Sequence, residues 1–131
     1  RNGLVVGTGN RSEAQVGYFT KYGDGAVDCL PIGPLYKQQV RQLARHVGVP
    51  EDLATKTASA GLWADQTDEG ELGIDYDTLD SILALHIDGP LSRSATAAEI
   101  GVEERVVERV RGMYERSAHK RQFPPGPEPL F

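Results

Sequence analysis

Gly7-Thr8-Gly9 stands between an apolar run, Leu4-Val5-Val6, and the start of a helix. Backbone N–H groups in such a turn are placed where a phosphate can dock. The pattern is G-x-G-x-x-S, which is not the dinucleotide fingerprint, and no acidic residue closes a βαβ unit behind it. Glu13 follows three residues after Asn10. It reads either as the glutamate of a capping box or as an oxygen ligand for Mg²⁺ beside a nucleotide. Lys37 falls in the first turn of a helix read over 35–47. A cation there opposes the helix dipole by about a few tenths of a kcal/mol. That conflict suggests an external anion as partner, the plain alternative being a surface lysine. Lys21 and Asp24 sit in a Gly-bounded loop that a ligand could approach closely, although ordinary turn chemistry explains Gly23-Asp24-Gly25 equally well. Asp28 is a polar residue at the edge of an apolar run. His119-Lys120-Arg121 closes the longest helix, where cations suit the dipole and could also clamp a carboxylate or phosphate. His46 and His86 have no partner at metal spacing.

These residues need elements to hold them. Leu4–Val6 reads as a buried strand of a parallel sheet. Cys29–Ile32 is a weaker strand, limited by Pro31. A short helix runs to about Tyr18, capped by Asn10 or Ser12. In 35–47, Tyr36, Val40, Leu43, Ala44 and Val47 recur at helical spacing, and Gly48 stops the run. Pro50 opens a turn from Glu51 to Ala54. Residues 55–68 have no period and read as a mobile loop, with Trp63 as a lid or partner contact or as a buried anchor. Tyr76, Leu79, Ile82 and Leu83 mark a further helix that ends at Gly89-Pro90. Ser92–Ala95 reads as a loop, with Thr96 capping a turn from Ala97 to Ile100. The longest helix is expected over 102–118, its stripe built from Val102, Val106, Val107, Val110, Met113 and Tyr114. Pro124 to Pro127 ends regular structure. Two strands do not make a stable sheet, so the chain reads as the C-terminal, helix-rich part of a larger α/β unit. An all-helical domain with one stray hairpin is the alternative.

With 131 residues, 39% of them hydrophobic, the chain is one globular unit, and no 18-residue apolar run suits a membrane span. One cysteine excludes an internal disulfide, and the cytoplasm is the expected compartment. The net charge of −5 argues against nucleic acid as partner. Its distribution is uneven: 51–80 carries nine acidic residues and one lysine, between two basic blocks. Basic ends could converge on an anionic ligand, or the acidic centre could be a solvated face.

Six segments in register resemble one family. They are Gly7-Thr8-Gly9-Asn10-Arg11-Ser12-Glu13; Gly17-Tyr18-Phe19-Thr20-Lys21-Tyr22-Gly23-Asp24-Gly25; Pro31-Ile32-Gly33 with Leu35-Tyr36-Lys37; Ser59-Ala60-Gly61-Leu62-Trp63; Gln66-Thr67-Asp68-Glu69 with Glu71-Leu72-Gly73; and His119-Lys120-Arg121. Together they look like NAD synthetase in its ammonia-using form, nearly end to end. The resemblance implies a Rossmann-like adenine nucleotide α-hydrolase fold, a doubly wound parallel sheet. It implies residues 1–125 as part of one such domain, with 55–68 as lid and 126–131 as a Pro-rich tail. The implied reaction adenylates the nicotinate carboxylate of deamido-NAD with ATP and then displaces AMP with ammonia. Residue by residue, it implies that Thr8, Lys37 and Ser59 contact ATP and that Glu13 binds Mg²⁺. Lys21, Asp28, His119 and Lys120 would hold deamido-NAD, with Asp24 near the reacting carboxyl on the ammonia side. It further implies a homodimer with the deamido-NAD site at the subunit interface.

The sequence departs from the family in one serious respect. The Ser-Gly-Gly-x-Asp-Ser loop that cradles pyrophosphate and supplies a Mg²⁺ ligand is not in these residues. The chain by itself is therefore expected to be inactive. Ala26 in place of a second glycine, and Thr57-Ala58 in place of prolines, remove no functional side chain. A non-catalytic relic that kept a dimerisation or binding surface is the competing reading. Another ATP pyrophosphatase-type amidotransferase is a third, opposed by the lid and His-Lys-Arg motifs.

Overall fold

A computed structural model describes residues 2–127. Its elements in order are α1 (Arg11–Val16), α2 (Lys37–His46), α3 (Glu51–Ala54), α4 (Asp68–Leu72), α5 (Tyr76–Ile82), α6 (Arg93–Ile100) and α7 (Glu104–Arg116). α5 runs on into a π-helical turn, Leu83–Ile87, and α7 is followed by a 3₁₀ turn, Ala118–Arg121. Of the tail read over 126–131, residues 128–131 lie outside the described residues.

The core forms where α5, its π-helical extension and α7 meet. Tyr76, Leu79, Ile82, Leu83, Val107 and Val110 have no exposed surface. Each aliphatic side chain buried this way stabilises the fold by about 1.5–3 kcal/mol. The helical periods of the sequence point to these positions because burial selects one stripe of each helix.

Helix starts follow local capping chemistry. Asn10 caps α1: its side chain accepts from Glu13 N–H at 3.0 Å, and Glu13 Oε2 accepts from Asn10 N–H at 3.1 Å. Asp75 caps α5, accepting from Thr78 N–H at 2.8 Å. At α6 the expectation needs correcting. Ser92 is the cap, accepting from Ala95 N–H at 3.2 Å, so the helix already begins at Arg93. Thr96 is fully buried inside it and faces the core rather than starting a turn. α4 is a second correction: Thr67 caps it at 3.0 Å through Gly70 N–H, so residues 55–67 stay irregular and Asp68 is helical. The His119-Lys120-Arg121 triplet stands in the 3₁₀ turn rather than at the end of α7.

Leu4–Val6 is not buried. Leu4, Val5 and Val6 keep 78%, 56% and 59% of their surface exposed. Among the described residues the segment makes one parallel bridge, Val6 to Cys29, with Gly7 N–H donating to Cys29 C=O at 2.8 Å. A strand covered on both faces needs parallel neighbours, and the described residues supply one rung. The helix-rich character expected of this part of the fold is observed; the doubly wound sheet is not built from these residues.

Gly17 joins α1 to α7. It ends α1 at φ 73°, in the left-handed region, and a Cβ there would lie 2.3 Å from Ser117 Cβ. Only glycine fits that contact.

Candidate functional site

α2 owes its start to α1 and α5. Ser12 Oγ accepts from Lys37 N–H at 2.9 Å, and Asp80 Oδ2 accepts from Gln38 N–H at 2.9 Å. Ser12 in turn donates its hydroxyl proton to Asp80 Oδ1. The dipole at this helix start is therefore met inside the protein, by a buried carboxylate. Burial pushes the Asp80 carboxyl above its ordinary range, against the hydrogen bonds from Ser12 and Gln38. Lys37 also has an internal partner: its Nζ lies 3.3 Å from Glu13 Oε1 and 5.1 Å from the Tyr76 ring centroid. The anion that the sequence leaves Lys37 without is Glu13, 24 residues earlier in the chain.

Both readings of Glu13 thus have structural content. It closes the capping box, and it faces a cleft of about 500 Å³ together with Thr8, Asp24, Lys37 and Ser59. Ile32, Val40, Ala44, Val49 and Leu53 give that cleft an apolar wall, and Arg41 and Lys56 line it as well. Asp68 also lines it, buried to 5% exposure, with Oδ2 accepting from Tyr76 Oη at 3.0 Å. Burial, then the charges of Glu13 and Asp68, hold the Tyr76 phenol well above its usual range, so it stays protonated as donor.

A second cleft of about 490 Å³ contains Lys21, Asp28 and Lys120, with Val5, Phe19 and Phe123. A smaller one of about 250 Å³ connects the groups: it is lined by Glu13 and Asp24 from the first and by Lys120 from the second. Asp24 stands between them, its Oδ1 accepting from Thr20 N–H at 2.6 Å in a local turn.

The lysines and Asp28 carry structural work as well. Lys120 Nζ donates to the Gly17 and Phe19 carbonyls at 2.7 Å each. Lys21 Nζ donates to the carbonyls of His119 and Gln122. Asp28 Oδ2 accepts from Val5 N–H at 2.7 Å, so it does hold a strand edge. Arg121 donates to the carbonyls of Ala14, Gln15 and Tyr114, at the ends of α1 and α7. That is the dipole partnership the sequence allows. His119 is exposed, its ring nitrogen Nδ1 3.1 Å from the Arg116 carbonyl, and it does not line these clefts. Ser59 Oγ accepts from Gly61 N–H at 3.0 Å. Trp63 is 56% exposed, so it is not an anchor for its loop.

Sequence reasoning missed Asp80, Ser12 and Asp68 as parts of the site. An acidic residue on the apolar stripe of α5, one position after Leu79, was the available signal for Asp80.

Among the described residues no group of three or more His, Cys, Asp or Glu side chains could hold a metal. Mg²⁺ commonly takes one or two carboxylates and completes its shell with phosphates and water. Glu13 fits that role as a single ligand. Among the described residues its Oε1 accepts from Asn10 Nδ2 at 2.6 Å and has the longer contact, 3.3 Å, to Lys37 Nζ. No helix of the described residues is long and apolar enough to cross a membrane.

Comparison with known proteins places these residues in context. The family described as NAD synthase matches residues 1–124. The NH(3)-dependent NAD(+) synthetase of Halobacterium salinarum is 64% identical over 126 residues, which is 96% of this chain and 47% of that protein. The protein of the same name from Sulfolobus acidocaldarius is 53% identical, over 95% of this chain and 44% of its own length. Among solved structures, NMN synthetase from Francisella tularensis superposes with a TM-score of 0.75 at 39% identity, covering 99% of this chain and 48% of that one. The chain spans about half the length of the curated relatives it matches.

Proposed function

The chain belongs to the NAD synthase family, and from that membership we propose that it supplies one wall of an active site that amidates deamido-NAD to NAD with ATP and ammonia. The opposite wall, with the pyrophosphate-binding loop and the sheet strands that cover Leu4–Val6, belongs to the half of the family's length that this chain does not span. The single observation that carries this reading is the sorting of residues between clefts. Thr8, Glu13, Lys37 and Ser59 share one, Lys21, Asp28 and Lys120 share another, and Asp24 stands at the junction.

In this reading ATP lies in the first cleft, its base against the apolar wall and its phosphates toward Lys37, Thr8 and Ser59. Lys37 leaves Glu13 for a phosphate oxygen, and Glu13 is thereby freed to hold Mg²⁺. The bound ion would neutralise charge on the triphosphate. A nicotinate carboxylate oxygen attacks the α-phosphorus and pyrophosphate leaves. Negative charge builds at that phosphorus, where the Lys37 cation is already in place. Ammonia then attacks the acyl carbon and AMP departs. Asp24, between the clefts, orients the ammonia and accepts its proton. Lys21, Asp28 and Lys120 hold deamido-NAD, with His119 reaching it from the exposed 3₁₀ turn. Residues 55–68 act as a lid that keeps water from the adenylate. The working protein is a cytoplasmic homodimer.

The test is an assay of NAD formation from deamido-NAD, ATP and ammonium, by a family-length protein carrying this chain and by the 131-residue chain alone. The first should turn over and the second should not. Turnover by the chain alone would refute the need for the other wall. Nicotinate mononucleotide is assayed in parallel, and exclusive use of it would move the substrate assignment.

A further inference from the structure

The lid segment is folded on itself, closed at its base and tied down through Gln66. Asp68 N–H donates to the Ala58 carbonyl at 2.9 Å and closes the base of the loop. Leu62 N–H donates to Gln66 Oε1 at 2.7 Å. Residues 61–65 are exposed, yet Gln66 keeps only 6% of its surface. Its Nε2 donates to Glu71 Oε2 at 3.1 Å, and the same oxygen accepts the Tyr18 hydroxyl proton. Tyr18 N–H donates to the Glu13 carbonyl at 2.8 Å. An unbroken chain of hydrogen bonds therefore runs from the loop tip through Gln66, Glu71 and Tyr18 to the backbone of Glu13. Tyr18, Gln66 and Glu71 also line a cleft of about 300 Å³ that Asp24 and Lys120 share.

We propose that Gln66 is a positioning residue. Through Glu71 and Tyr18 it sets the height of the 59–65 tip over Asp24, and so sets how the lid meets its substrate. The proposal rests on the lid reading above. The polarity of the chain is fixed by atoms: a backbone N–H needs an acceptor on residue 66, while Glu71 needs a donor there and can itself only accept when ionised. The Gln66 amide offers both, its oxygen to Leu62 N–H and its NH₂ to Glu71.

That polarity supplies the test. Gln66→Glu keeps the acceptor for Leu62 but sets two carboxylates against each other. In Q66E/E71Q the amide is moved to position 71, where its NH₂ donates to the carboxylate now at position 66 and its carbonyl accepts from Tyr18. Trp63, on the tip, is the reporter, with a Trp63→Phe background subtracted. In the family-length protein, ATP with deamido-NAD should change Trp63 emission. Q66E should make free Trp63 more accessible to iodide and raise KM for deamido-NAD about tenfold, with a much smaller change in kcat. The double variant should restore both. Tyr18→Phe, which deletes one hydroxyl, should shift the same readouts in the same direction and serves if Q66E does not fold. A responsive wild type with an indifferent Q66E and Y18F, or a double variant as impaired as Q66E, overturns the tether alone. A Trp63 that ignores both ligands overturns the lid reading and the tether with it.

Discussion

Lys37 and Glu13 neutralise each other across 3.3 Å, with 19% and 17% of their side-chain surfaces exposed. The two groups proposed to meet phosphate and Mg²⁺ are thus held as a pair before either ligand arrives. Exchanging partners leaves neither charge bare, because the phosphate and the ion arrive with opposite signs. Lys37→Ala should therefore lower kcat/KM for ATP by about 10- to 100-fold, the loss of one charge-assisted hydrogen bond. Pyrophosphate exchange in the family-length protein measures it, and unchanged kinetics would remove Lys37 from the site.

Ser12 is expected to matter for stability and, through it, for ATP. It is fully buried, accepts from Lys37 N–H and donates to Asp80. Ser12→Ala leaves a helix-start N–H and a carboxylate oxygen unpaired, at a cost of about 2–3 kcal/mol. Urea unfolding should show that loss, and KM for ATP should rise because the start of α2 positions Lys37.

Stability below neutral pH should depend on Asp88 and Asp80 with opposite signs. Burial favours the protonated Asp88, but Arg11, at 2.6 and 2.9 Å, and the Tyr36 hydroxyl outweigh it and hold the carboxyl below its ordinary 3.8. The folded state then binds the proton less tightly than the unfolded one. The contribution is present above pH 3.8 and is lost as pH falls through the lower folded value. Asp80 is shifted upward, so its contribution is complete below pH 3.8 and is lost as pH rises through the raised value. Thermal midpoints over about pH 2 to 6 should show a shallower acid loss in Asp88→Asn. In Asp80→Asn the decline just above pH 3.8 should vanish. Unaltered slopes would contradict these assignments.

Gly17→Ala should destabilise by about 2–4 kcal/mol, from left-handed backbone strain and overpacking together. The new methyl group would meet Ser117 Cβ at 2.3 Å, and Lys120 and Arg121 cross the same seam. Differential scanning calorimetry tests this, and a wild-type midpoint would mean that the α1–α7 contact is looser than described.

What the sequence disclosed follows the range of the forces involved. α5 and α7 were legible because a period of 3.6 in Leu79, Ile82, Val107 and Val110 reflects burial of one face; α2 carries the same period in Val40 and Leu43, although none of its residues is buried and Leu43 stays 41% exposed. The Asn10–Glu13 cap was legible because it spans three residues. α4 was not, since five residues carry too little period to stand out from a polar loop. The sequence does not separate Ser92 from Thr96 as the cap of α6, because propensity cannot tell a capping hydroxyl from one buried in the next turn. At the site, residue types suggested Glu13 and Lys37 singly. Their pairing, and the Ser12–Asp80 support, join positions 24 and 68 residues apart, and only the packing of α1, α2 and α5 brings them together.

The single rung between Val6 and Cys29 has a practical corollary for handling this polypeptide. On one side Val5 and Gly7 donate their N–H groups to Asp28 and Cys29, while among the described residues no second strand covers the exposed Leu4, Val5 and Val6 on the other, an edge open to pairing with an identical ribbon on another molecule. Prepared in isolation at high concentration, the chain would self-associate along that seam, and a charged gatekeeper such as Val5→Lys would suppress it.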